Sequence, residues 1–265
     1  MLAAQSILVT GGSRGIGLAT ACALAGGMRR DLALVLAARD GDALARAQLQ
    51  VERAGAGKGP LRVASVVMDV ADAASFEKGM KAAQEFCGPL DGLVLCAGMA
   101  ESAPLHKTPD EMLERHLAVN LWGAFRPLRA ALPEMVARGF GRVVAVASIA
   151  ALAGASYVAA YTASKHALLG LVRAAAVEYG GRGVTVNAVC PGYVDTDMTR
   201  RSLQRIAEKT GLAPEQARER VLARMPQRRL IRPEEVAETI VFLMSEGAAG
   251  VNGAALPIDG GELAS

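Results

Sequence analysis

Seven short apolar runs recur along the chain, each separated from the next by a stretch of helical composition. The runs cover residues 6–10 (SILVT), 32–37, 62–68, 92–96, 141–147, 184–189 and 254–258. Helices are expected over 15–25, 42–53, 72–86, 109–137, 158–179 and 233–245, the last with a proline in its first turn. Pro127 and Pro133 are expected to bend or break the long helix over 109–137. Strands this apolar are buried on both faces, and strands that alternate with helices are joined by right-handed crossovers. The pattern predicts an α/β fold, a doubly wound parallel sheet of about seven strands. With 265 residues and no linker, repeat or low-complexity tract, residues 1–265 read as a single domain.

Small aliphatic residues supply the core, since 52% of the chain is hydrophobic and only 4% aromatic. A net charge of +3 argues against a dedicated nucleic-acid binder, which concentrates its cations in a strong patch. Cys22, Cys87, Cys96 and Cys190 lie far apart with no CxxC and are expected to be small buried hydrophobes in a reducing compartment. His106, His116 and His166 show no ligand spacing, so no metal site is expected. The first ten residues lack the features of a secretion signal, and no apolar run reaches the length of a membrane span. A cytoplasmic protein with neither nucleic acid nor membrane as partner is expected.

The first run opens into residues 10–17 (TGGSRGIG), a glycine-rich turn that leads into a helix. Glycines let the backbone approach a pyrophosphate, which the first N–H groups of the helix then meet. Gly11, Ser13, Arg14, Gly15, Ile16 and Gly17 are therefore candidate cofactor contacts. The spacing is GxxxGxG rather than GxGxxG. Arg39 closes the second run, where an acidic residue would select the ribose hydroxyl of NAD(H) and an arginine suits the 2′-phosphate of NADP(H). Asp40 complicates this, because a shift of one position would present a carboxylate. NADP(H) is the favoured cofactor, with NAD(H) as the alternative. Asp69, with Val70 beside it, is placed to meet the adenine, and Ala97-Gly98 lets the backbone pass close to the cofactor.

Tyr161 and Lys165 lie four residues apart on one predicted helical face, and Ser148 ends the fifth strand thirteen positions before Tyr161. Ligands in open α/β sheets bind at the carboxyl ends of strands. Interconverting a ketone and a secondary alcohol needs a proton donor or acceptor beside a hydride carrier. A phenol suits that task, with Lys165 and the cofactor's positive nicotinamide expected to lower its pKa and Ser148 to bond the substrate oxygen. Tyr157 competes with Tyr161 as the acid but has no lysine partner, and it is expected to wall the pocket.

These motifs resemble, over nearly the whole length, the short-chain dehydrogenase/reductase family. The resemblance is carried by residues 10–17, Asp69-Val70, Asn120, Ser148, Tyr161 with Lys165, residues 191–196 (PGYVDT) and Asp259-Gly260-Gly261. It implies that Tyr161 is the acid/base, Ser148 the carbonyl polariser and Lys165 the ribose contact and pKa tuner. Asn120 would hold a water in a proton relay, and Pro191, Gly192, Val194 and Thr196 would flank the nicotinamide. It further implies a homotetramer and a mobile substrate lid around residues 196–232. Arg200, Arg201 and Arg205 in that lid would meet a phosphate of a CoA or carrier-protein thioester, or simply form a solvated face.

The sequence departs from the family pattern at Leu95-Cys96, where two asparagines are usual, and in a longer connection over 26–31. Its similarity to 3-oxoacyl reductases, polyketide ketoreductases and 3-hydroxyacyl dehydrogenases is about equal. The expected function is hydride transfer between NADP(H) and a ketone or secondary alcohol, with a 3-oxoacyl or 3-hydroxyacyl thioester as substrate class. An NAD-dependent secondary-alcohol dehydrogenase and a non-catalytic nucleotide sensor or scaffold are the alternatives.

Overall fold

The computed structural model describes residues 5–27 and 31–264. Every apolar run forms a strand: β1 Ser6–Thr10, β2 Leu32–Ala38, β3 Leu61–Val67, β4 Gly92–Leu95, β5 Gly141–Val146, β6 Val184–Pro191 and β7 Ala255–Ile258. They form one seven-stranded sheet in the order β3-β2-β1-β4-β5-β6-β7, with every pair parallel. The chain order reverses between β1 and β4, so a crevice opens beyond the carboxyl ends of these two strands.

Alternate side chains feed two cores. Leu8, Leu93, Val143 and Val186 meet one layer, made by α3 (Ala73–Cys87), α5 (Gly123–Arg138) and α6 (Ala159–Tyr179). Ile7, Val9, Val94 and Val144 meet the other, made by α1 (Gly15–Gly26), α2 (Gly41–Gly55) and α9 (Pro233–Leu243). Burial on both faces explains why β1, β2, β4, β5 and β6 read as largely apolar runs rather than as alternating ones, while the edge strands β3 and β7 are only partly buried.

Three expectations need correction. The helix over 109–137 does not break at its prolines: α4 (Asp110–His116) passes into a π-helical turn (Leu117–Trp122), and α5 then runs through both Pro127 and Pro133. Pro127 lacks the N–H that would bond the carbonyl of Gly123, and its ring crowds that carbonyl. The irregularity therefore falls in the preceding turn. β3 and β5 end earlier than expected, so Asp69 and Ser148 stand two residues beyond their strands. Of the cysteines only Cys190 is fully buried; Cys22, Cys87 and Cys96 are half-buried, and none is in a disulfide.

The segment after β6 folds into α7 (Asp197–Thr210) and α8 (Pro214–Leu222), tied back by a bridge between Val194 and Ile231. The connection over 26–31 includes residues 28–30, which lie outside the described residues, as do the first four residues of the chain. Among the described residues no helix is long and apolar enough to cross a membrane.

Candidate active site

A cavity of about 1000 Å³ lies over the carboxyl ends of β1, β2, β4, β5 and β6. Of the catalytic and cofactor-contact candidates read from the sequence, its walls hold all but Asn120: Gly11, Ser13, Arg14, Gly15, Ile16, Gly17, Arg39, Asp69, Val70, Ala97, Gly98, Ser148, Tyr161, Lys165, Pro191, Gly192, Val194 and Thr196. Residues separated by up to 185 positions in sequence thus meet in one space, because each follows a parallel strand.

The glycine-rich turn is built for close approach. Gly11 adopts φ +68°, and a Cβ there would stand 2.9 Å from the backbone nitrogen of Ala97. A Cβ on Gly17 would strike the carbonyl of Gly11. The helix that follows, α1, has Arg14 at its cap position with no side-chain cap, unlike α2 and α3, which Asp40 and Asp72 cap. The first-turn N–H groups of α1 therefore stay available to an anion in the cavity. Asp40 Oδ1 accepts from the N–H of Ala43 at 2.9 Å. The Arg14 and Arg39 side chains line the cavity with no hydrogen bond or ion pair to another described residue, and the Arg14 charge stands close enough to Asp197 to help lower that carboxyl. Asp69 turns back on its own loop, accepting from the N–H of Ala71 at 2.9 Å. Uncapped N–H groups, close backbone and the guanidinium groups of Arg14 and Arg39 fit the diphosphate of a nicotinamide dinucleotide.

At the other end of the cavity, Ser148 caps the short 3₁₀ turn Ile149–Ala151, its Oγ accepting from the N–H of Ala150 at 3.1 Å. With its acceptor side engaged, the hydroxyl turns its proton toward the phenol of Tyr161 in the cavity wall. Tyr161 lies in the first turn of α6 and Lys165 one turn later. Lys165 is buried; its Nζ donates to the carbonyl of Val146 at 2.8 Å and lies 5.8 Å from the centroid of the Tyr161 ring. Burial pulls the Lys165 amine down to about 8. Tyr161 departs from expectation. Burial pushes its phenol above the ordinary tyrosine range, and what pulls it back is a hydrogen bond with Ser148, not the lysine. A phenolate loses more solvation on burial than the Ser148 hydrogen bond restores, so the group is held as the neutral acid.

Asn120 does not line the cavity but stands behind its wall, in the π-helical turn. Its Oδ1 accepts from the N–H of Met99 at 2.9 Å, and its Nδ2 donates to the carbonyl of Met99 at 3.1 Å and to Ser164 Oγ at 2.9 Å. Tyr157, expected as a pocket wall, is instead 66% exposed and absent from the cavity. Its φ of +69° turns the chain outward there. Of the three arginines of α7, Arg200 is spent on Asp195 and Asp197 at 2.8 and 2.7 Å, Arg205 lies outside the cavity, and Arg201 lines it. Met99, Glu101, Arg115 and Val119 also line the cavity and were not read from the sequence. Nor was His116, which is buried with its ring against that of Tyr161. The one available signal was its position four residues before Asn120 on the same helix.

A family profile described as enoyl-(acyl carrier protein) reductase matches residues 11–262. The chain is 38% identical over 265 residues to D-beta-hydroxybutyrate dehydrogenase of Cupriavidus necator, covering 100% of both proteins. It is 36% identical over 257 residues to the 3-oxoacyl-(acyl-carrier-protein) reductase MabA of Mycobacterium bovis, covering 97% of this chain and 92% of that one. An actinorhodin polyketide ketoreductase variant solved with NADPH superposes with a TM-score of 0.89 at 33% identity, covering 99% of this chain and 98% of that one. The relatives are named for chemistry at hydroxyl and keto carbons, the chemistry a serine, a phenol and a lysine at a dinucleotide cleft can perform. The chain belongs to the short-chain dehydrogenase/reductase family, oxidoreductases that act on hydroxyl and keto groups with a nicotinamide dinucleotide.

Proposed function

We propose that the protein is an NADPH-dependent ketone reductase whose substrate is a 3-oxoacyl thioester or a related ketone. The observation that carries the reaction is the convergence of Ser148, Tyr161 and Lys165 on the cavity that also holds the glycine-rich turn. The bound nicotinamide supplies the hydride. Tyr161, kept protonated by its burial, donates its proton to the carbonyl oxygen as that oxygen gains charge. Ser148 donates a hydrogen bond to the same oxygen. Lys165, anchored on Val146, turns its remaining protons toward the ribose and the phenol. The relay water that the resemblance assigns to Asn120 would take the second lone pair of Oδ1 or the residue's own carbonyl, since Nδ2 already gives both protons.

Two neighbouring side chains support NADP(H) over NAD(H). Arg39 faces the cavity unpaired, whereas the Asp40 carboxylate is engaged in capping α2. α7 and α8 form the substrate lid in this reading, with Arg201 as the cation available to an anionic carrier. The homotetramer belongs to the proposal too, with exposed Leu113 and Trp122 on the α4–α5 face offered to a second copy.

A panel of ketones and 3-oxoacyl thioesters, followed by nicotinamide absorbance with each cofactor, tests the proposal. Turnover with NADPH is expected. Tight nucleotide binding without turnover of any carbonyl would favour a sensor instead.

A further inference from the structure

One buried polar side chain abuts the phenol of Tyr161 without belonging to the expected set. His116 ends α4 with no exposed surface, and its ring meets that of Tyr161 edge-on, centroids 6.2 Å apart and planes at 71°. Its Nδ1 lies 2.7 Å from the carbonyl of Met112, and its Nε2 accepts from the backbone N–H of Glu101 at 3.0 Å. A carbonyl only accepts and a peptide N–H only donates. The two bonds therefore require a proton on Nδ1 and a lone pair on Nε2, which is one tautomer of the neutral imidazole.

These contacts join three parts of the site. Glu101 belongs to the segment after β4, which lines the cavity through Met99 and Glu101. Asn120, one turn beyond His116, holds the backbone of the same segment at Met99. The two residues thus staple residues 99–101 at two points. They also reach α6 at two points, the ring of Tyr161 and the hydroxyl of Ser164, which in turn donates to the carbonyl of Tyr161 at 2.7 Å.

We infer that His116 is a positioning residue for the reaction, holding the Tyr161 ring and the wall at 99–101 in fixed register through its neutral Nδ1–H imidazole. The inference rests on Tyr161 being the proton donor. The dinucleotide cradle at Gly11 and Arg39 makes no hydrogen bond to His116. Loss of the imidazole therefore lowers kcat and raises the ketone KM while the NADPH Kd stays put.

Three variants separate the parts. His116→Gln keeps one donor and one acceptor for Met112 and Glu101, whereas His116→Phe keeps the edge contact and abandons both bonds. kcat should fall about 10- to 100-fold in His116→Phe, the cost of a slightly misplaced catalytic group, and be largely retained in His116→Gln. In the wild-type protein, ¹⁵N NMR of its three histidines should show one with a protonated Nδ1 and a bare Nε2 at neutral pH. Wild-type kcat and KM in His116→Phe, a glutamine variant as impaired as the phenylalanine one, or a protonated Nε2 would each overturn the inference. The NMR and glutamine measurements decide it even where His116→Phe does not fold. Tyr161→Phe is the control: full turnover there removes the proposed function itself, whereas an inactive Tyr161→Phe beside an unaffected His116→Phe removes only the role of His116.

Discussion

The carboxylate of Asp40 accepts the backbone N–H of Ala43 at 2.9 Å, and so closes the first turn of α2. Asp40 and its neighbour Arg39 both line the cavity at the end of β2, but only the Asp40 side chain has a partner there. The proposed preference for NADP(H) rests on that difference between two adjacent residues of opposite charge.

Arg39→Asp should therefore invert cofactor preference. Losing a charge-assisted contact to the 2′-phosphate is expected to raise the NADPH KM about 10- to 100-fold, with little change for NADH. An unaltered ratio of kcat/KM for the two nicotinamides would rule out Arg39 as the phosphate reader.

Tyr161→Phe removes the phenolic proton and keeps the ring. kcat should drop by about 10²- to 10⁴-fold, the range for a positioned general acid, while fluorescence titration finds NADPH binding intact. A near-normal rate would end the mechanism.

Ser148→Ala deletes the donor proposed for the carbonyl oxygen. The expected loss in kcat is about 10²- to 10³-fold. Because this interaction strengthens as charge develops, the ketone KM should move far less, which initial-rate kinetics will resolve.

Lys165 makes stability depend on pH. Its folded-state pKa of about 8 lies below the ordinary 10.5, so between those values the unfolded chain holds a proton that the folded protein has released. Folding stability then rises with pH across that window, because the cost of burying a charged amine fades. The full effect is about 3 kcal/mol. Urea unfolding of the wild type and Lys165→Met should show their difference shifting in favour of the wild type as pH goes from about 7 to about 10. A constant difference would contradict a charged, buried lysine.

The sheet was readable because burial on both faces writes a largely apolar run for each of the five inner strands, and the two edge strands β3 and β7 keep enough apolar residues to be recognised beside them. The glycine-rich end of the cavity was readable for a related reason: Gly11, Gly17 and Arg39 sit where β1 and β2 stop, and chain order alone puts those ends together. What stayed hidden depends on burial and partners. The direction of the Tyr161 shift reflects lost solvation, which no spacing reveals. His116 bonds only backbone groups, so no complementary side chain marks it. Tyr157 sits four residues from Tyr161, yet a left-handed backbone angle sends it to solvent. Prolines announced an irregular helix but not that it would fall at 117–122.

That wider helical turn acts as a phase shifter. An α-helix advances about 100° per residue, so a turn that takes in an additional residue rotates everything before it relative to everything after. Leu113 and His116 are aimed by one setting, and Leu128 and Leu132, which pack on the sheet, by another. Deleting a single residue between Leu117 and Trp122 would restore ordinary helix and swing Asn120 or the core leucines off target. Core packing and active-site aim are thereby adjusted independently within one rod.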